Sequence, residues 1–268
     1  MKFKIIFILF NIVVVFSFLI VILMPFFMLG GVYSQEFFKD SWYLFLVFIF
    51  AIGSIDTYFI INWKMFSLLE SENWDDLVLH LENSIYVKKN IYTYLVKILA
   101  NTYLIKSDMP GILKLEDYLR KVKPLLLKKM VIPLSVPKFI DGDPEKLEVF
   151  FGEFINLKGV NKAVWVRFLY SFSLLLNNKR DEAANSLLVL CNTKVPSILK
   201  LMVLYSLNPF SELDKEGKFN CVEAGKRELR SSYKKETMEL ELESIKDNVL
   251  VLVLNKFSKE AIDWLYKE

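Results

Sequence analysis

Few side chains in this sequence could do chemistry, and they are scattered. Asp56 is the one charge in a run of 22 residues from Trp42 to Trp63. A carboxylate inside such an apolar run is expensive to ionise, so it could be a proton or ion site or touch a partner's transmembrane helix. Gly53 beside it would allow close helix approach. The plainer reading is a protonated or water-reached Asp hydrogen-bonded to Ser54 or Thr57. His80 is the single histidine and lies between Leu79 and Leu81. No Cys or carboxylate pair stands at ligand spacing from it, so it reads as structural. Asp141-Gly142-Asp143 evokes a calcium loop but lacks the central Gly and the later ligands, so it reads as a turn and helix cap. Arg120, Lys121, Lys123, Lys128 and Lys129 could touch anionic lipid at about 1 kcal/mol per charge, or form a solvated loop. Cys191 and Cys221 are expected to be unpaired thiols, as in a reducing compartment. No phosphate-binding loop, dinucleotide glycine fingerprint or Gly-x-Ser-x-Gly elbow occurs. No set of groups converges, so the sequence predicts no catalytic residue, no metal and no cofactor, and a protein that is not an enzyme.

The elements that carry these groups differ sharply along the chain. Of 268 residues, 54% are hydrophobic and 24% charged, the balance of a membrane segment attached to an ordinary folded domain. Ile5 to Leu29 is 25 residues without a charge. A helix needs about 20 such residues to cross the hydrocarbon layer. Trp42 to Trp63 is a second run, with tryptophan at each end as in the aromatic belts of membrane helices. Gly30, Gly31 and a short polar loop separate them. The reading is a transmembrane hairpin, residues 1–63, with spans at about 5–29 and 42–63. A cleaved signal peptide would have a shorter apolar core and small residues at the cut. Lys2, Lys4 and Lys64 flank the spans on one side and Lys39 on the other, which places both termini in the cytoplasm of a bacterial inner membrane. The remaining chain carries the whole net charge of +3, too little to suggest a nucleic-acid partner.

Beyond Trp63 the apolar residues recur at helical spacing, and strand signals are almost absent. Trp74, Leu77, Val78, Leu81 and Ile85 form one stripe, with Asn73 placed to cap it. Ile91, Leu95, Ile98, Leu99 and Tyr103 form the next. Asp108-Met109-Pro110 opens a third helix, lined by Ile112, Leu115, Leu119 and Val122. Pro124, Pro133, Pro137 and Pro144 predict a long connection from Lys123 to Gly142. Asp143-Pro144 restarts a helix through Phe154, and two more follow, lined by Trp165 to Leu176 and by Ala183 to Cys191. Another starts at Pro196 and ends near Pro209. A single long buried helix is expected from about Ser232 to Tyr266. The fold class is therefore all-α, with a domain over 64–220 and a C-terminal helix within 221–268.

Two stretches carry a family likeness. Tyr94 to Arg120 places Ala100 at a small first-helix position, Tyr103 one turn on, and Ser107-Asp108 at the turn. Val164 to Leu190 places Ser171 and Leu174 there, Asn177-Asn178 at the turn and Ala183 at the small second-helix position. These resemble tetratricopeptide-type (TPR-like) helical repeats, which recur about every 34 residues. Ser107 and Asn178 replace the turn glycine, Ile112 stands where a small residue is usual, and Ala100 to Ser171 is not a clean multiple of the period.

That resemblance implies an α-solenoid whose concave face binds a peptide or helix of another protein, with catalysis seldom present. On this register the partner-binding groove is formed by Tyr94, Lys97, Asn101 and Leu104 of the first motif. Trp165, Phe168, Phe172 and Leu175 follow in the second. Lys97 and Asn101 could hold a partner's carboxylate or backbone. The second face is too apolar to stand in water and must pack on the C-terminal helix or on a partner. The expected function is a membrane-anchored interaction scaffold. The competing reading is an accessory subunit of a membrane transport or secretion complex, centred on Asp56.

Overall fold

The computed structural model describes residues 2–212, 217–244 and 249–267, without the side chains of residues 2, 3, 25, 26, 28–38, 40 and 249–253. All regular structure among the described residues is helical. The chain divides into two units, Met1–Thr102 and Tyr103–Glu268.

The first unit begins with α1 (Lys2–Ile61). Sixty helical residues laid straight would reach about 90 Å. Instead the chain doubles back: the Phe7 ring lies 5.3 Å from that of Phe59 and 6.1 Å from that of Trp63, and Phe18 stacks on Phe48 at 4.0 Å. The two limbs, Lys4–Met24 and Ser41–Ile61, are each long and apolar enough to cross a membrane and bury none of that apolar stretch inside the protein. Next come α2 (Trp63–Glu70) and α3 (Trp74–Glu82), which is extended by a π-helical turn, Asn83–Val87. Helix α4 (Thr93–Ile105) runs across the boundary, with Tyr103–Ile105 counted in the second unit.

The second unit continues with α5 (Met109–Val122), α6 (Pro124–Asp141), α7 (Pro144–Gly152), α8 (Ala163–Leu176) and α9 (Arg180–Cys191). It ends with α10 (Ser197–Ser211), α11 (Asn220–Ser232), α12 (Lys235–Ser244) and α13 (Val249–Tyr266). Two expectations fail. Residues 124–141 are a helix, not a connection, although Pro133 and Pro137 lie inside it. Each proline removes one backbone donor, so the carbonyls of Lys129 and Pro133 lose their usual helical partner. The side chains of Leu126, Leu127, Met130, Val131 and Leu134 are buried along the same helix, and that burial outweighs the two missing bonds. The C-terminal stretch is not one straight helix: residues 245–248 lie outside the described residues, but Lys235 of α12 pairs with Asp263 of α13 at 2.7 Å, so the chain doubles back between them.

The turns recur. Besides Lys89, Gly159, Lys162 and Gly217, left-handed backbone occurs among the described residues at Glu72, Ser107, Gly142 and Asn178, a series with separations of 35, 35 and 36 residues. Each follows the end of one helix and precedes the next. Three of these turns share one hydrogen-bond pattern, in which the left-handed residue and its successor donate back into the last helical turn. Ser107 N–H reaches Leu104 O at 3.0 Å and Asp108 N–H reaches Tyr103 O at 2.8 Å; the Glu72 and Asn178 turns match. This is the Schellman termination. Asn73, Asp108 and Asp143 then cap the following helix, their side chains accepting from the N–H groups of Asp76, Gly111 and Glu145. Of the four, Gly142 and, less strongly, Asn178 are residue types that left-handed backbone favours. Ser107→Gly is therefore expected to raise stability by about 0.5–1 kcal/mol, measurable as a higher thermal unfolding midpoint.

Close approach within a pair is made by small residues. In α8 and α9 the buried Ser171 and Ala183 lie at the crossing, and Ser171 Oγ meets Ser186 Oγ at 2.7 Å. At the start of α5, Gly111 lies under the buried Tyr103 ring, where an added Cβ would come within 2.6 Å of the ring edge.

Candidate functional site

Asp56 sits in the second limb of the hairpin. Its Oδ1 is shielded from solvent and accepts no hydrogen bond among the described residues. The expected help from Ser54 or Thr57 is not there: Ser54 Oγ donates to Phe50 O at 2.7 Å and Thr57 Oγ1 to Gly53 O at 2.6 Å. A hydroxyl has one proton to give, and both are spent on their own helix. The register set by Phe7 on Phe59 and Phe18 on Phe48 brings Asn11 level with this turn, but Asn11 Nδ2 donates to Phe7 O at 3.0 Å. Toward the other end of the hairpin, a groove of about 630 Å³ is lined by apolar side chains such as Val13, Phe18, Phe45 and Phe48. Ser17 and Ser41 are the polar members of its described lining, and no charged side chain joins them there.

The eight groove residues fare differently. Tyr94, Lys97 and Asn101 are exposed along one face of α4, and Leu104 is half-buried. Among the described residues Lys97 and Asn101 make no hydrogen bond or ion pair. Tyr94 is engaged: its hydroxyl donates to Asn62 Oδ1 at 3.4 Å, and its ring stacks on Tyr92 at 6.0 Å. Partial burial, then the neighbouring Tyr58 and Tyr92 hydroxyls, raise the Tyr94 pKa above the usual phenol value.

Trp165, Phe168 and Phe172 are not an open groove. Trp165 and Phe168 are buried, and α13 supplies Phe257 against Phe168 and Phe172 at ring distances of 6.4 and 5.4 Å. Tyr205 of α10 closes on the same ring at 5.2 Å and on Trp264 at 5.6 Å. Helix α13 thus packs on α6, α8 and α10, the leading helices of three successive pairs. Its far end is pinned by polar contacts. Arg230 donates to the carbonyls of Leu265 and Lys267, Tyr266 donates to Tyr233 O at 2.7 Å, and Lys235 pairs with Asp263 at 2.7 Å. The apolar face of α8 had to be covered, and the chain's own terminus covers it.

Arg120, which the sequence reads as touching lipid or lying in a solvated loop, instead belongs to a partly interior ion network. Glu116 of α5 is buried and pairs with Lys138 of α6 and with Arg120 at 2.9 Å; Arg120 reaches on to Glu153 at 2.7 Å. Lys138 also lies over the Phe150 ring at 4.3 Å. Burial alone would lower the Arg120 pKa, but hydrogen bonds to Glu153 and Glu116 outweigh it and raise it. The acids and bases here match one another, so the network locks α5 to α6 and α7 and leaves no free charge for a ligand. Asp141 and Asp143 behave as a turn, both pairing with Lys146 at 2.7 and 3.6 Å. No group of three or more metal-ligating side chains converges among the described residues.

His80 lies in the last turn of α3. Burial, then the nearby charges of Lys64 and Lys88, lower its pKa from the model-compound value of 6.5. A depressed value means the unfolded chain binds the proton more readily, so stability is lost as pH falls below about 6.5. As the single histidine, it should give one imidazole resonance that titrates below 6.5 and moves up in Lys64→Gln.

The cysteines correct the expectation of unpaired thiols. Cys191 at the end of α9 and Cys221 at the start of α11 are joined as a disulfide, with Cα atoms 6.4 Å apart, inside the usual span for a bridge. The two lie 30 residues apart, close to one turn-to-turn step, and that spacing was the available signal.

A family model described as "Uncharacterised Treponema protein" matches residues 111–267, from the first turn of α5 through α13. A protein of Treponema pallidum (strain Nichols), described as "Uncharacterized protein", is 23% identical over 164 residues, which cover 61% of this chain and 52% of that protein. The chain thus spans about half the length of that relative. No solved structure matches. The family match extends over more than half of the sequence and takes in the whole run of helices from α5 onward, so the chain belongs to the family described as "Uncharacterised Treponema protein".

Proposed function

We propose that this chain is a membrane-anchored interaction scaffold of the tetratricopeptide-like kind. The observation that carries the reading is the recurrence of left-handed turns at 72, 107, 142 and 178 behind an apolar hairpin. Arrays of helix pairs with a period near 34 residues hold a partner along their surface and are seldom catalytic by themselves. The exposed Lys97 and Asn101 supply donors for a partner's carboxylate or backbone. The test is crosslinking and capture from native membranes with full-length chains bearing Lys97→Ala with Asn101→Ala, or Asp56→Asn. Loss of the captured protein with the α4 pair alone supports the scaffold. Loss with Asp56→Asn alone supports a subunit of a larger membrane complex, the reading that the orphaned Asp56 Oδ1 favours.

The hairpin is taken to span a bacterial inner membrane with both termini cytoplasmic, from Lys2, Lys4 and Lys64 against Lys39. The Cys191–Cys221 bridge favours the opposite face, because such bridges persist in oxidising compartments. A membrane-impermeant maleimide applied to intact cells after mild reduction separates the two. Labelling of Cys191 and Cys221 puts the helical units outside; protection until lysis puts them inside.

A further inference from the structure

The α2–α3 pair is polarised. Its far turn holds Glu70, Glu72, Asp75 and Asp76, whereas the end next to the hairpin holds Lys64, His80, Lys88 and Lys89 together with the acidic Glu82. Along an eight-residue helix the two groups stand about 10 Å apart, roughly one screening length in physiological salt. The basic end is a cluster in space and not only in sequence, since His80 on α3 feels both Lys64 on α2 and Lys88 beyond the π turn. Lys64, Lys88 and Lys89 are exposed, and none of them takes part in an ion pair among the described residues.

Aromatic and apolar groups are mixed into the same end. The Tyr94–Asn62 hydrogen bond ties the segment after Lys89 to the point where the chain leaves the hairpin, and Tyr92 stacks on Tyr94. Tyr58 lies one turn back along the second limb. Tyr92, Val87 and Leu79 are 58%, 72% and 63% exposed, a poor arrangement for side chains facing bulk water beside three cationic lysines. Tyrosines with lysines, contiguous with the end of an apolar limb, are the composition of a membrane–water interface.

We propose that Lys64, Lys88 and Lys89 bind the phosphates of anionic lipid headgroups, while Tyr58, Tyr92 and Val87 lie in the interfacial layer around the hairpin exit. This rests on the reading that α1 is embedded in lipid. Continuity with the hairpin selects a lipid over an acidic protein, because a protein occupant would have to share the site with the headgroups that surround Ile61. Each lysine is expected to contribute about a fivefold preference for anionic over neutral lipid.

The experiment uses the full chain, released from nanodiscs made of equal parts phosphatidylglycerol and phosphatidylcholine, with retained lipids counted by native mass spectrometry. The wild type should retain phosphatidylglycerol preferentially. The K64Q/K88Q/K89Q variant should lose the preference by roughly a hundredfold, while K158Q/K194Q/K267Q, with the same charge change elsewhere, should keep it. Excess inorganic phosphate should not displace the lipid; complete displacement would mean a simple anion site and overturn the proposal. Equal retention of both lipids by the wild type, or no difference between the two triple variants, would also overturn it. Extraction of wild-type vesicles at alkaline pH separates the premises: release from the membrane sinks the anchor itself, whereas retention with no lipid preference sinks only the headgroup site.

Discussion

Phe168→Ala is expected to destabilise the second unit by about 3–5 kcal/mol, the range for removing a fully buried aromatic ring. The Phe168 ring is wholly buried and stands between Phe172 of its own helix and Phe257 of α13. Truncation removes the middle of that stack and opens a cavity under the C-terminal helix, which α13 cannot fill while Arg230, Tyr233 and Lys235 hold its other end. For a unit of this size the loss corresponds to a fall of about 10 °C in the unfolding midpoint, followed by circular dichroism of the full chain in detergent. Phe257→Ala should cost less, because its ring is only half-buried. The two changes should be non-additive by about 0.5–1.5 kcal/mol, the size of a direct aromatic pair. An unchanged midpoint for Phe168→Ala, or strict additivity with Phe257→Ala, would show that α13 does not rest on α8.

Glu116→Ala is expected to cost a similar amount, about 3–5 kcal/mol, for a different reason. It leaves the Lys138 ammonium, which is largely buried, with only the Phe150 ring for company, and an unpaired buried charge is far more costly than a missing contact. Arg120 suffers less because Glu153 still holds it. The companion variant decides the cause. Glu116→Leu combined with Lys138→Met removes both charges and fills the volume, and it should recover most of the lost stability. If the double change is as damaging as the single one, packing and not charge is what Glu116 supplies.

The helices were readable where the apolar stripe and the capping residue agree. Asn73, Asp108 and Asp143 each announce a helix start, and Asp108 and Asp143 are reinforced by a proline in the first turn. Residues 124–141 defeated the same logic, because Pro133 and Pro137 signal a break locally while the burial that overrides them comes from α5 and α7. With α6 unread, Ala100 to Ser171 looked like a misfit to the period; Gly142 divides the corresponding turn spacing into 35 and 36 residues. At the site, Phe168 and Phe172 could be recognised as a face needing cover, and two covers were open. Nothing local in α8 chooses between a partner and α13, since the choice depends on Phe257, some 85 residues on. The Glu116–Lys138 pair was hidden for the same reason: one partner lies on a helix whose existence the prolines conceal.

The evenness of the turn spacing also bears on how sequences like this one tolerate insertions and deletions. Gain or loss of a block of 35 or 36 residues, cut from one left-handed position to the next, would return the chain to a helix start in phase. A single added or missing residue inside α8 would instead rotate everything beyond it by about 100° about the helix axis and swing Phe172 and Leu174 toward water. Lineages carrying such arrays are therefore expected to differ in length by whole helix pairs, with odd-sized changes confined to the stretches between them.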